Sequence, residues 1–293
     1  MTDLHPTALP AEPAAGMAAL LRVFVDPTQA LQGGNPVPLV LDARGMPASA
    51  MQALAAHYGH ESSFVVPAES EGHLCRLRFF VPGHEMEMCG HATVGTLWAL
   101  RQWGHWTTPC TRVQTLSGSV DIEWDEERDR AWVSQPAVTT SGLTPEQCRA
   151  IAKVLCIDPD LPGLHMINAS TSRVKTLVRL PSVAALDALA PDFASMRVLC
   201  EAIGSTGLYP YALTADGASA RQFPKASGYP EDAATGIAAA ALWGYLNETG
   251  SVPADRVYTV RQGVAMGSPS AIQLRSRSDA PGCWLSGDTQ WIT

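Results

Sequence analysis

Hydrophobic and polar positions change period several times along the chain, and each change predicts an element. Leu21-Arg22-Val23-Phe24-Val25 is β-branched and aromatic, the composition of a strand. Gly33-Gly34-Asn35-Pro36 is turn chemistry, and residues 37–41 read as a second short strand. Over residues 47–58 the period turns helical. Met51, Leu54, Ala55 and Tyr58 fall on one face, and Gly59 is placed to end the helix in the left-handed region. Residues 62–66 read as a strand again. Glu61 is left in the short joint between helix and strand, where rigid flanks hold functional side chains. Residues 74–81 alternate into a further strand, which Pro82-Gly83 ends. A helix carrying Val94, Leu97, Trp98 and Leu100 follows and stops at Gly104. Residues 113–137 then read as a meander in which Val120-Asp121-Ile122-Glu123-Trp124 alternates.

Ser141-Gly142 reads as a linker. Thr144 is placed as the N-cap, and Pro145 as the first residue, of a helix that runs to about Leu155. Strands are expected at residues 173–178, 209–214 and 218–223, with a helix at 182–189 between the first two. Residues 258–292 are strand-like again. Each half of the chain thus runs through strands into a glycine-containing turn and then an apolar helix. Gly90-His91-Ala92-Thr93-Val94-Gly95 leads to Leu97-Trp98, and Ala234-Thr235-Gly236 leads to Leu242-Trp243 in a helix ending near Gly250. Both helices are apolar over much of their circumference, the pattern of a helix enclosed by other structure such as a rolled sheet. The parallel hints at a tandem duplication and does not fit a short-period solenoid.

Length and composition fit this outline. At 293 residues the chain is long for one compact core and comfortable for two domains, and 46% apolar against 16% charged residues provides for a large core. A net charge of -8 without a lysine–arginine cluster argues against a nucleic-acid partner. No apolar run reaches the roughly 20 residues that span a bilayer, so no membrane partner is expected. Residues 1–17 are rich in alanine and proline, carry Asp3 and Glu12, and lack the basic start of a signal peptide. Residues 1–18 therefore read as a loose leader, and the expected location is cytoplasmic. Seven cysteines, an odd number with no CxxC pair, suggest neither a disulfide framework nor a zinc site. Most of them read as small buried hydrophobes.

The candidate chemistry gathers at the two turns. A helix N-terminus offers unpaired backbone N–H groups and a positive dipole end, which suit a carboxylate or phosphate. Gly90 and Gly236 allow close backbone approach there. Ordinary buried helices with packing glycines show the same pattern. Neither GxxxxGK[ST] nor GxGxxG occurs at these turns. Glu61, His91, Glu231 and Asp232 supply acid/base groups nearby. Each also has a plainer reading: solvated surface for a loop glutamate, a packed residue for His91, a helix cap for Asp232. Cys89 precedes Gly90, where a thiol is acidified and can act as base or nucleophile, or else is buried and inert. No GxSxG nucleophile elbow is present.

Five motifs occur in a telling order: Gly34-Asn35-Pro36; His60-Glu61-Ser62-Ser63-Phe64; Phe80-Val81-Pro82 through Glu85 to Cys89-Gly90-His91-Ala92-Thr93; Glu231-Asp232-Ala233-Ala234-Thr235-Gly236; and Gln262-Gly263 through Gly267-Ser268-Pro269-Ser270. From Leu21 onward the chain resembles the phenazine-biosynthesis (PhzF-like) isomerases. The resemblance implies the α+β fold of diaminopimelate epimerase. That fold has two pseudo-symmetric lobes, each a rolled, mostly antiparallel sheet around a central helix, with the active site in the cleft. On this reading the N-terminal lobe is residues 19–138, completed by 280–293, and the C-terminal lobe is 139–279. The resemblance further implies an enzyme that needs no cofactor, neither metal nor flavin, nicotinamide or pyridoxal phosphate. Such enzymes are commonly homodimers and move a proton between carbons of a small carboxylate-bearing amino or hydroxy acid. By position, Glu61 resembles the family's acid/base, His91 a substrate-contacting histidine, and Asp232 the aspartate that binds and orients substrate. Gly90 and Gly236 resemble the backbone donors at the two helix starts, and Cys89, Ala92, Thr235 and Ile237 complete the expected substrate-binding set. Three departures stand out. Ile237 occupies the place of a usual serine, which puts the phenazine precursor in doubt as substrate. Ala233 replaces a usual proline. Cys89 resembles the first catalytic cysteine of the true epimerases and racemases, while the second, at the Asp232-Ala233 turn, is missing. Two alternatives to the isomerase follow: an epimerase or racemase using Cys89 with Glu61, and a non-catalytic small-ligand-binding protein that kept the fold.

Overall fold

The computed structural model describes residues 9–29, 31–252 and 256–292, so residues 1–8 of the expected leader lie outside the described residues. The described part of that leader is not loose. Trp103 Nε1 donates to the Pro10 carbonyl at 3.1 Å, and His105 Nε2 lies 3.0 Å from a Glu12 carboxylate oxygen. The chain forms two compact units. The first runs to Val23, resumes over Asn35–Val133 and takes up residues 287–292; the second holds Phe24–Gly34 and Ser134–Ser286.

In the first unit β1 (Ala18–Val25) pairs antiparallel with β2 (Asn35–Val40), from Ala18 opposite Val40 to Val23 opposite Asn35. The expected turn is therefore confined to Gly33-Gly34, because Asn35 and Pro36 already belong to a strand. α1 (Ala48–Tyr58) ends as its glycine predicts, with Gly59 at φ 69°, and crosses over to β3 (Ser62–Val66), which runs parallel to β2. β4 (Arg76–Val81) and β5 (His84–Met86) form a hairpin. α2 (Gly90–Gln102) follows, then the meander β6 (Cys110–Thr115), β7 (Gly118–Asp125) and β8 (Arg130–Gln135). The apolar helix is enclosed, as its sequence requires: every residue from Gly90 to Leu100 is buried. A Cβ at Gly95 would lie 2.5 Å from Val23 Cγ2, so glycine is what lets β1 reach α2. α1 is placed elsewhere in the unit, with Met51 and Ala55 against Val40, Phe64 and Phe80.

The second unit contains β9 (Thr139–Ser141), α3 (Pro145–Leu155), β10 (His165–Ser170), β11 (Val174–Arg179), α4 (Val183–Asp187) and α5 (Phe193–Ala202). It continues with β12 (Gly207–Leu213), β13 (Gly217–Ala220), β14 (Phe223–Pro224), α6 (Gly236–Glu248), β15 (Tyr258–Gln262), β16 (Ser270–Ser276) and β17 (Cys283–Ser286). Its ladders are antiparallel except β11 with β12 and β13 with β15. Thr144 and Gln147 close a capping box at the start of α3, where the sequence places a cap. Ile151, Leu155, Leu186 and Leu199 of α3, α4 and α5 share a core with Val178 and Leu208 of the sheet. α6 is the counterpart of α2. It is apolar nearly all round, and its Gly236 and Gly244 come so close to Leu285 and Val138 that a Cβ would lie 2.9 and 2.7 Å from them. β18 (Asp288–Trp291) returns to the first unit. There Ile292 N–H donates to the Leu20 carbonyl at 2.9 Å, Arg130 pairs with Asp288 at 3.0 Å, and the Trp291 ring meets those of Trp98 and Trp103 in tilted contacts at ring distances of 5.0 and 4.6 Å. No helix among the described residues is long and apolar enough to cross a membrane.

Candidate active site

Glu61 occupies the joint between α1 and β3, and the β3 register fixes its position. Ser63, one pleat further on, accepts a 2.7 Å hydrogen bond from the Thr96 hydroxyl, and both side chains are fully buried. The strand that begins directly after Glu61 is thereby pinned to the helix that carries His91. Cys89 is the N-cap of α2 in extended conformation, and its side chain makes no capping hydrogen bond. The sulfur points instead at the acid/base groups. Cys89 Sγ lies 3.8 Å from Glu61 Oε2 and 3.5 Å from His91 Nδ1, and His91 Nε2 lies 3.1 Å from the same Glu61 oxygen. The structure thus brings together three of the residues expected from sequence. They differ in access: the Glu61 side chain keeps 28% of its exposure and His91 only 7%. The plain reading of Glu61 as solvated surface does not describe this position. Gly90 and Ala92 are buried in the first turn of α2, with backbone N–H groups that have no intrahelical acceptor. His60 is held below the ordinary imidazole range chiefly by desolvation. Glu61 pulls it upward, while Arg22 and His91 push it further down.

In the second unit, Thr235 is the N-cap of α6, and its side chain does not cap the helix. Its hydroxyl donates to Asp232 Oδ2 at 2.5 Å instead. The helix-cap reading of Asp232 therefore does not hold. Its carboxylate stands three residues before the cap and is oriented by Thr235. Behind both lies Gln262, fully buried. Gln262 Nε2 donates to the Asp232 carbonyl at 2.7 Å and to Thr235 Oγ1 at 3.1 Å, and its Oε1 accepts from the Tyr209 hydroxyl at 2.9 Å and from Thr235 N–H at 3.3 Å. Burial, with a smaller push from Asp232, keeps the Tyr209 phenol well above its usual pKa, so it remains a donor. Tyr209 and Gln262 have no periodic signature. Only the Gln262-Gly263 motif marks one of them in the sequence. Gly236 and Ile237 form the first turn of α6, Gly236 buried and Ile237 partly exposed where the family's serine would stand.

Glu231 is a correction. Its carboxylate is held by both arms of Arg221, at 2.9 and 2.7 Å, and the Arg221 guanidinium also donates to the carbonyls of Leu186, Asp187 and Leu189. Both side chains are about nine-tenths buried. Glu231 is a structural anchor rather than an acid/base group. All seven cysteines are thiols. Burial pushes Cys75 and Cys283 up to about 12 and Cys200 up to about 11, which makes these three inert. Cys110 and Cys156 are exposed. A cavity of about 400 Å³ in the first unit is lined by Glu12, Asp42, Arg44, Leu100 and His105. It lies toward the far end of α2 from His91 and includes none of the candidate residues.

A family model for phenazine biosynthesis-like proteins (PhzC-PhzF) matches residues 24–287. An uncharacterized isomerase of Deinococcus radiodurans is 32% identical over 251 residues, 82% of this chain and 81% of that protein. Trans-2,3-dihydro-3-hydroxyanthranilate isomerase of Pseudomonas fluorescens is 29% identical over 257 residues, 84% of this chain and 86% of that protein. The crystal structure of a PhzF-family phenazine biosynthesis protein of Bacillus anthracis superposes with a TM-score of 0.79 at 22% identity, covering 94% of this chain and 96% of the other. The α+β fold with its two enclosed helices is thus the diaminopimelate-epimerase-like fold expected from the motifs.

Proposed function

Because this chain belongs to the phenazine biosynthesis-like family of isomerases, we propose that it moves a proton between two carbons of a small carboxylate-bearing acid, with Glu61 as the single acid/base. The observation that carries this reading is the placing of Glu61. Of the three groups that converge at the start of α2 it is the one with substantial exposure, and His91 and Cys89 hold it from behind. A carboxylate in that position takes a proton from an activated carbon and returns it to another carbon of the same face. Proton transfer by a positioned side chain contributes roughly 10²–10⁴-fold to such rates. The N–H groups at the α2 start, beside Glu61, are assigned to the substrate's carboxylate. Ile237 offers a methyl-bearing surface where a hydroxyl is usual. By its family position this departure speaks against the dihydro-hydroxyanthranilate that the Pseudomonas fluorescens relative is named for.

The spacing also bears on the epimerase alternative. Two bases that act on opposite faces of one carbon must each stand about 3–3.5 Å from it, hence roughly 6–7 Å apart. Cys89 Sγ and Glu61 Oε2 are 3.8 Å apart, which supports one-base chemistry.

The test is deuterium exchange in heavy water, followed by NMR with a panel of small cyclic and acyclic amino and hydroxy acids. The expected outcome is incorporation into one panel class by the wild-type protein, and a rate lower by roughly 10²–10⁴-fold in Glu61→Gln. Equal rates in both proteins would remove Glu61 from this role. Alkylation that abolished exchange while Glu61→Gln retained it would favour the cysteine-based alternative.

A further inference from the structure

We propose that Glu61, Cys89 and His91 form a binding site for a soft divalent cation, with Zn²⁺ the best fit, and that its occupation shuts off the acid/base. The three side chains offer one carboxylate oxygen, one sulfur and one imidazole nitrogen, all within 4.8 Å of one another. Tetrahedral zinc takes sulfur at about 2.3 Å, nitrogen at about 2.0–2.1 Å and oxygen at about 2.0–2.2 Å. Those lengths set nitrogen and oxygen about 3.3–3.4 Å apart, and sulfur about 3.5–3.6 Å from either. The protein has 3.1 Å between His91 Nε2 and Glu61 Oε2, 3.8 Å between Cys89 Sγ and that oxygen, and 3.9 Å between Cys89 Sγ and His91 Nε2. Shifts of about 0.3 Å turn this triangle into one face of a zinc tetrahedron. Three protein ligands and one open position is the stoichiometry of an accessible zinc site rather than a closed structural one.

The chemistry of the donors points the same way. A thiolate with an imidazole selects zinc or cobalt over magnesium or calcium. Cys89 and Glu61 together neutralise a 2+ ion, and binding releases the Cys89 thiol proton to solvent. Helix α2 and the Ser63–Thr96 hydrogen bond already hold the ligands in place, so little ordering is needed. No bond to substrate is made or broken. The ion binds the Glu61 oxygen that the proposed reaction uses, and exchange stops in proportion to occupancy. Inhibition therefore rests on the proposed function, whereas binding does not.

Cobalt is the probe, and the readout needs no substrate. Chelator-treated full-length protein is titrated with Co²⁺ and followed by absorbance. One ion per chain should bind, with a thiolate-to-cobalt charge-transfer band and the intense ligand-field bands of four-coordinate cobalt. Zn²⁺ should bleach them, and Mg²⁺ in excess should not. Cys89→Ser should remove the charge-transfer band. Glu61→Gln should weaken binding at least as much as the roughly 10–100-fold that loss of an outer-shell partner costs. The exposed Cys110 and Cys156 are controls, and a double serine variant at those positions should keep the full spectrum. Absence of saturable binding, a band that survives in Cys89→Ser, or a band lost with Cys110 and Cys156 would each overturn the site. Both single substitutions are isosteric, and far-UV circular dichroism checks that each variant is folded. In heavy water, full exchange by zinc-saturated protein would overturn the inhibition. Absence of exchange from metal-free protein counts against the isomerase reading alone and leaves the cobalt result standing.

Discussion

Glu61 and Glu231 are both glutamates beside a helix-bearing turn, and their surroundings give them opposite fates. Glu231 faces a guanidinium that fills both of its oxygens, in a site too buried for water to compete. Glu61 faces a thiol and an imidazole and remains open to approach. No local pattern distinguishes them, because Arg221 lies ten residues before Glu231 and Cys89 lies 28 residues after Glu61. Gln262 is the residue whose loss reaches furthest in the second unit, since one amide orders Tyr209, Asp232 and Thr235 together. Gln262→Leu should cost about 1–3 kcal/mol in urea unfolding, because buried groups lose their partners. It should also lower kcat/KM for the exchanging substrate. Tyr209→Phe removes a single hydroxyl and should cost about 1 kcal/mol while Gln262 still holds Asp232, so its kcat/KM should stay near wild type.

Among the elements, α2 depends most on a single missing side chain. Gly95→Ala gains about 1 kcal/mol of helix propensity. Against that stands overpacking of about 1–3 kcal/mol, at a contact of 2.5 Å with a fully buried valine. The contact should win, for a net loss of about 1 kcal/mol, and Val23→Ala in the same chain should recover part of it; thermal unfolding of the three variants decides this. The elements most legible in sequence are those with complete local signals. α1 has its left-handed glycine, α3 its capping box, and α2 and α6 their unbroken apolar circumference. Three others carry weaker signals. In β10, His-Met-Ile-Asn-Ala-Ser does not alternate, and its register comes from pairing with β11. β5 has three residues and exists only as the return arm of a hairpin. α5 is capped by Asp192, but it follows a proline and carries Phe193 and Val198 exposed, which blurs its apolar face. Motif order singles out Glu61, Cys89 and His91, which the structure brings together, and Asp232 in the second unit. The Cys89–His91–Glu61 triangle and the Gln262 network were not legible, because tertiary packing and not periodicity makes them.

At the scale of the whole molecule, each unit is discontinuous in sequence. β18 closes the first unit on the backbone of β1, and Trp291 covers Trp98 and Trp103 at the end of α2. Two tilted aromatic pairs at about 0.5–1.5 kcal/mol each predict a loss of about 1–3 kcal/mol for Trp291→Ala, measurable by urea denaturation. Phe24, fully buried at φ 65°, sits where the chain leaves the first unit for the second. A bulky residue in the left-handed region is rare and costs about 1–3 kcal/mol. The β18 connection also governs the order of events during synthesis. Domains normally fold from the N-terminus as they emerge from the ribosome. Here β2 follows β1 at once, but β18, on the other side of β1, is made some 260 residues after it, so the unit that holds Glu61 stays open along one edge through almost the whole of translation, while the intervening unit has all of its residues first.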